Sequence, residues 1–381
     1  MSTTTTTPGP IPRRRRGCLV VVLLVLLLSL LLNLGVSLIY TGVVSNPLET
    51  DPEGIEERFY LGEPGAQDKI AVVRVTGVIS GAGIRFPLRQ LETAARDPRV
   101  KAVVLRIDSP GGTVTASEEL YRNVINLRDN TGRRFTGTGP KPVSVSMGGV
   151  AASGGYYVAV AGHPISAEPT TITGSIGVFV AIPNVAELGE KYGIKMELIK
   201  AGNIKAAGSF FHTLAPEERQ TWQDTVDAAY DQFLDTIASN RPKLTTKHLR
   251  DTVVIERMVP KRDEKGNAIL DAKGQPVEVL YQRRLADGGT LTPKDAKLHG
   301  LIDRIEDLPA TIRAAAGQHG ITSFKAVVYE PRKGLVERLT GLPIQTGAQS
   351  SFNLGQFPAA MTPRLWYLAP SVDLGLLHEV P

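Results

Sequence analysis

Residues 143–157 read VSVSMGGVAASGGYY, and the reading of this stretch decides the rest. Val143, Val145 and Met147 alternate with serines, the period-two pattern of a strand. Gly148 and Gly149 interrupt it, and Ser153 follows in a setting of Ala and Gly. Residues 154–161 have the composition of a short helix. A strand that hands a serine to a tight turn, with a helix starting behind it, presents the hydroxyl at the end of a sheet. Ser153 is therefore the candidate nucleophile. A serine hydroxyl attacks poorly near neutral pH, so a base must lie within hydrogen-bond reach.

Working outward, residues 70–79 and 100–108 are rich in β-branched side chains and predict strands, as do 141–147 and a segment near Ile165. Residues 196–199 predict a further strand. Helical spacing marks 87–97, 113–128 (with Thr115 or Ser117 as N-cap) and 216–239, where Trp222, Val226, Tyr230 and Phe233 share one face. Strands alternating with helices predict an α/β fold. Residues 251–284 are charged around DEKGNAILDAKGQ and read as an inserted hairpin or flap; 291–303 resume the helix–strand pattern. From Gly341 no period is visible, and weak order is expected over that stretch.

The amino end has a different character. Residues 1–12 are low-complexity, and 1–17 are expected to be disordered. Arg13 to Arg16 precede an uncharged, Leu- and Val-rich run over 18–40, long enough to cross a bilayer as a helix. The arginines would remain in the cytoplasm and place the rest of the chain outside it. Residues 41–69, rich in Gly, Pro and Glu, read as a linker. The organisation expected is thus a single-pass anchor (18–40), a linker (41–69), a catalytic domain (70–332) with an insertion at about 251–284, and a tail (333–381).

Composition narrows the function classes. Of 381 residues, 42% are hydrophobic and 21% charged, an ordinary folded balance. The net charge of +5 is nearly all due to the four consecutive arginines, so it does not argue for nucleic acid. The single cysteine, Cys18, excludes an intrachain disulfide and a cysteine-built metal site. No two histidines have HxxxH spacing, and neither a metal nor a cofactor is expected.

Two kinds of base remain open. His163 and His212 could serve a Ser-His-Asp arrangement, although their neighbours give no local signal. Lys205 lies in AGNIKAAGSFF, among Ala, Gly and Phe rather than charged company. A lysine desolvated in such a setting can act as a base, and Ser-Lys pairs are a variant of triad logic. The turn Asp108-Ser109-Pro110-Gly111-Gly112 could aim backbone N–H groups at a developing oxyanion, or could simply be a turn before a helix. Ser109 is a rival nucleophile but, directly before Pro110, reads rather as a turn residue; Ser175 (in TGSIG) is a third hydroxyl in another turn.

The ordered set DSPGG, AASGGYY, TGSIGV, GNIKAAGSFF, GLID and AVVYEPRKG resembles the signal peptide peptidases of the SppA type, peptidase family S49, over residues 70–332. The resemblance implies a Clp protease/crotonase-like spiral of ββα units behind one transmembrane helix. It implies a membrane-anchored serine endopeptidase with Ser153 as nucleophile, Lys205 as general base and Ser175 orienting the lysine. Gly111, Gly112 and Gly154 would form the oxyanion hole. It also implies a homo-oligomer at the outer face of the cytoplasmic membrane acting on remnant signal peptides and other apolar peptides. Two departures stand out. KAAGSFF replaces the acidic or polar residue and proline that follow the lysine in many relatives, and Asp287-Gly288-Gly289 stands where relatives often have Asp-Gly-Arg. The rival readings are a catalytically silent scaffold on the same fold and an acyl-CoA enzyme of the crotonase type.

Overall fold

The computed structural model describes residues 24, 26–30, 33, 54–135, 139–263, 265–332 and 365–368. The chain divides into two units, 55–330 with 344–381, and 1–54 with 331–343. In the second unit Leu24, Leu26 to Leu30 and Asn33 are helical and exposed, and Arg332 N donates to Gly54 O at 2.8 Å. The anchor expected over 18–40 lies mostly outside the described residues. Among the described residues no helix is long and apolar enough to cross a membrane.

The larger unit is built on a nine-stranded, mostly parallel sheet. In chain order its strands are β1 (Ile55–Gly62), β2 (Lys69–Thr76), β3 (Val100–Ser109), β5 (Val143–Ala152), β6 (Ile165–Ala167), β7 (Ile172–Gly174), β11 (Thr290–Leu291), β12 (Arg304–Ile305) and β13 (Lys325–Pro331). The order across the sheet is β1-β13-β2-β3-β5-β6-β12, with β7 beside β5 and β11 beside β7. Val/Ile/Ala-rich strands suit such a sheet because both faces are covered. Ile70, Val72, Ala102 and Val104 pack on one face against helix Leu308–Gln318. Ala71, Val73, Val103 and Leu105 face the other way, into the main core. That core includes helix α1 (Arg85–Arg96) and helix α2 (Val114–Asp129).

β5 positions the site by changing partners. Val145, Ser146 and Met147 pair with β6, whereas Val150, Ala151 and Ala152 pair with β7. Its pairing with β3 jumps from Met147 opposite Ile107 to Ala151 opposite Ser109. Gly148 and Gly149 sit at the jump, and Asp108 Oδ1 accepts from Val150 N at 3.0 Å. The strand thus turns out of the main sheet just before Ser153, as bulges do next to functional sites.

Several expectations are corrected. Residues 196–199 form no strand, because they find no neighbouring strand and lie exposed. The linker stretch contributes the edge strand β1 from residue 55. The first long helix begins at Val114 with Thr113 as N-cap, its hydroxyl accepting from Ala116 N, rather than Thr115 or Ser117. The stretch expected to be weakly ordered supplies β14 (Leu365–Leu368), central in a three-stranded sheet between β4 (Gly111–Thr113) and β8 (Phe179–Val180). The charged segment is an exposed antiparallel hairpin of β9 (Val253–Pro260) and β10 (Glu278–Arg284).

Candidate active site

Ser153 stands between β5 and a short helix, α3 (Gly154–Ala159). Its φ of 53° and ψ of −118° are a conformation L residues rarely hold outside functional turns. Two backbone bonds keep it there: Ser153 N donates to Gly174 O at 2.8 Å, and Ser153 O accepts from Tyr157 N at 2.8 Å. The side chain is fully buried, yet Oγ has no hydrogen-bond partner. A buried, unpaired hydroxyl is costly and needs a reason.

The glycines gather around it. Gly111 has φ 105°, and a Cβ there would stand 2.7 Å from Gly154 N. A Cβ on Gly154 would stand 3.1 Å from Gly112 N. The backbone of the SPGG turn therefore meets the start of α3, and only glycine permits the approach. Ser109 is not a rival nucleophile in this geometry: its buried hydroxyl accepts from Gly111 N at 3.1 Å and shapes the turn. That is the turn role expected of a serine directly before a proline; the close packing of Gly155 on Ser109 O is the structural role that sequence reasoning missed.

Ser175 follows β7 with φ 51°, is buried, and its N donates to Gly289 O at 2.8 Å. It lines a cavity of about 450 Å³ with Phe179, Val226, Asp287 and Leu368. It is tied to Ser153 through the adjacent Gly174 carbonyl. Neither candidate histidine, His163 nor His212, is hydrogen-bonded to Ser153. His212 Nε2 lies 2.7 Å from Glu218 at the start of helix α4 (Pro216–Asn240), and His163 is exposed beside Asp303.

Peptidase family S49 matches residues 138–253, which span Ser153, Ser175 and Lys205. A Synechocystis protein named as a protease is 32% identical over 275 residues, covering 72% of this chain and 83% of that protein. The chain belongs to peptidase family S49. The chloroplastic serine protease SPPA of Arabidopsis thaliana is 30% identical over 75% of this chain, and Protease 4 of Salmonella typhi 35% identical over 49%. The chain spans 38% and 28% of their lengths, respectively. A ClpP1 variant from Listeria monocytogenes is similar with a TM-score of 0.34 at 13% identity, covering 63% of this chain and 94% of that one.

Within this S49 chain, Lys205 is not hydrogen-bonded to Ser153. It is exposed, in a succession of turns over 202–209, not in the desolvated pocket its neighbours suggested. Only Ala206 beside it is buried. The same region exposes Tyr192, Ile194, Met196, Leu198 and Ile199, the last 96% accessible. The second departure has a structural counterpart. A Cβ on Gly289 would lie 1.5 Å from Arg283 Nη2, so the β10 arginine fills the space a side chain at 289 would take. Arg283 pairs with Asp287 at 2.7 Å and donates to Thr290 O at 3.1 Å.

Proposed function

We propose that this chain is a serine peptidase whose nucleophile is Ser153. The observation that carries the reading is the buried, unpaired Ser153 hydroxyl, held at positive φ at the start of α3, where the SPGG turn closes on Gly154. Ser153 Oγ attacks the peptide carbonyl and its proton passes to Lys205 Nζ. The N–H groups of Gly112 and Gly154, with Gly111 shaping the turn, stabilise the oxyanion. The lysine then protonates the leaving amine, and water releases the acyl group by the same route. Ser175, buried next to Gly174, orients the lysine once it arrives. The fold is read as a Clp protease/crotonase-like spiral of ββα units.

Lys205 must come closer than the single chain brings it. The exposed apolar side chains around it support a homo-oligomer in which a second copy covers that face and the lysine segment settles on the site. Residues 18–40 anchor the assembly in the cytoplasmic membrane with the catalytic part outside, where apolar peptides, remnant signal peptides among them, are the substrates. One observation favours the alternative of a catalytically silent scaffold: the exposed Lys205 itself. The two separate in an assay of apolar fluorogenic peptides with the full-length protein in detergent. Ser153→Ala and Lys205→Ala should each lower kcat/KM by roughly 10³-fold or more. Unchanged hydrolysis in either, or no hydrolysis by the native protein, overturns the peptidase reading.

A further inference from the structure

The charged hairpin reaches the site through one side chain. Along β10 every residue except Arg283 is exposed, and the register with β9 slips between Arg283 and Arg284. A slip of this kind re-aims a side chain beside a functional site. Arg283 turns inward onto the loop that follows β10, its side chain 17% accessible.

The guanidinium makes three bonds there. Nη2 donates to Asp287 Oδ1 at 2.7 Å, Nε to Asp287 Oδ2 at 3.1 Å and Nη1 to Thr290 O at 3.1 Å. The same carboxylate accepts from Gly289 N at 2.9 Å and from Arg284 N at 3.0 Å. Burial would raise the Asp287 carboxyl, but the bonds from Arg283 and the two backbone N–H groups hold it below the usual carboxylate range. A planar fork on a carboxylate fixes orientation as well as distance. The loop between these anchors is Gly288-Gly289, which has little stiffness of its own.

What the fork holds is the backing of the site. Gly289 O accepts from Ser175 N at 2.8 Å, and Gly288 N donates to Ile176 O at 3.0 Å. Thr290 pairs with Gly174 across β11 and β7, and Gly174 O is the acceptor that fixes Ser153 N. Asp287 and Gly288 line the same cavity as Ser175. An unbroken series of bonds therefore runs from the root of the hairpin to Ser175 and on to Ser153.

We propose that Arg283 is a positioning residue: from the hairpin it fixes the 287–290 loop that seats Ser175, and so sets how well the Ser175 hydroxyl can orient the lysine. The inference rests on the serine-peptidase reading above and deepens it. It gives the inserted hairpin a part in turnover without any contact to substrate.

The geometry supplies a double-variant cycle as the test. A Cβ on Gly289 would lie 1.5 Å from Arg283 Nη2, so Gly289→Ala must push the guanidinium aside while leaving residue 283 unchanged. In the full-length protein in detergent, Arg283→Met and Gly289→Ala should each speed deuterium exchange at the Ser175 amide by roughly tenfold or more. The measurement is mass spectrometry of a peptide covering 172–178, and the double variant should do no more than either single one. Unchanged exchange in the single variants, or effects that add, overturns the inference. The second readout is turnover per active site, with sites counted by fluorophosphonate labelling of Ser153. Each variant should keep its full count of sites, with kcat lowered roughly tenfold and KM within about twofold of the native value. A merely architectural role would lower the count and leave kcat per site unchanged, and that result overturns the inference. Arg283→Lys should behave as Arg283→Met, since one ammonium cannot span both carboxylate oxygens and Thr290 O; full turnover with lysine overturns it as well. If exchange responds as expected but the native protein hydrolyses no peptide, the peptidase reading fails and the seating of Ser175 by Arg283 stands.

Discussion

At the scale of single residues, the site is made of positions where side-chain identity is dictated by backbone geometry. A Cβ on Gly112 would lie 1.9 Å from Ile79 O, a backbone atom that cannot step aside. Gly112→Ala should therefore cost about 2–4 kcal/mol of stability, read as a fall in Tm, along with activity. Ser153 presents the opposite case. A serine at φ 53° holds strain that glycine would not, so Ser153→Gly should raise stability by about 1 kcal/mol over Ser153→Ala while both are inactive. Equal melting of the two variants would argue that the turn is not strained. Ser153 and the glycines were legible because their chemistry is local. The packing of Tyr157 on Phe233 was not, because the two residues lie 76 positions apart in the chain and their rings meet at 5.1 Å only in the folded molecule.

At the scale of elements, a bidentate ion pair fixes the end of α4. Arg241, its C-cap, reaches both oxygens of Asp303 at 2.8 Å. Burial alone would raise the Asp303 carboxyl, but the hydrogen bonds from Arg241 and Ile165 N outweigh it and hold it below the usual carboxylate range. A lowered carboxylate contributes stability above its unfolded pKa and loses it as pH falls through the folded one. Asp303→Asn should thus lower Tm at neutral pH and flatten its decline in acid; an unaltered acid limb would refute the coupling. Among the described residues the β9–β10 hairpin pairs only with itself, and its residues are mostly exposed. Replacing 261–277 with Asn-Gly should leave Tm within about 2 °C, since Arg283 and its partners are retained. The hairpin could be read from its charged, Gly-punctuated sequence. Residues 196–199 misled because alternation records a preference for a strand, while a strand exists only where another offers hydrogen bonds. β14 escaped for the complementary reason: four residues carry no period, and its partners β4 and β8 lie far away in sequence.

At the scale of the whole molecule, the proposed assembly makes a linked prediction. Ile199→Glu places a charge on the most exposed apolar side chain beside Lys205. It should lower oligomer mass and specific activity together, with the melting of the isolated chain unchanged. Loss of mass with full activity would show that Lys205 acts within one copy. β14 adds a consequence for cohesion. Leu365–Leu368 is the strand that joins β4 to β8, so the turn that carries Gly111 and Gly112 and the segment of Phe179 and Val180 share one hydrogen-bonded seam. Loosening that strand loosens both at once, which ties the order of the turn beside Ser153 to a part of the chain more than 200 positions away.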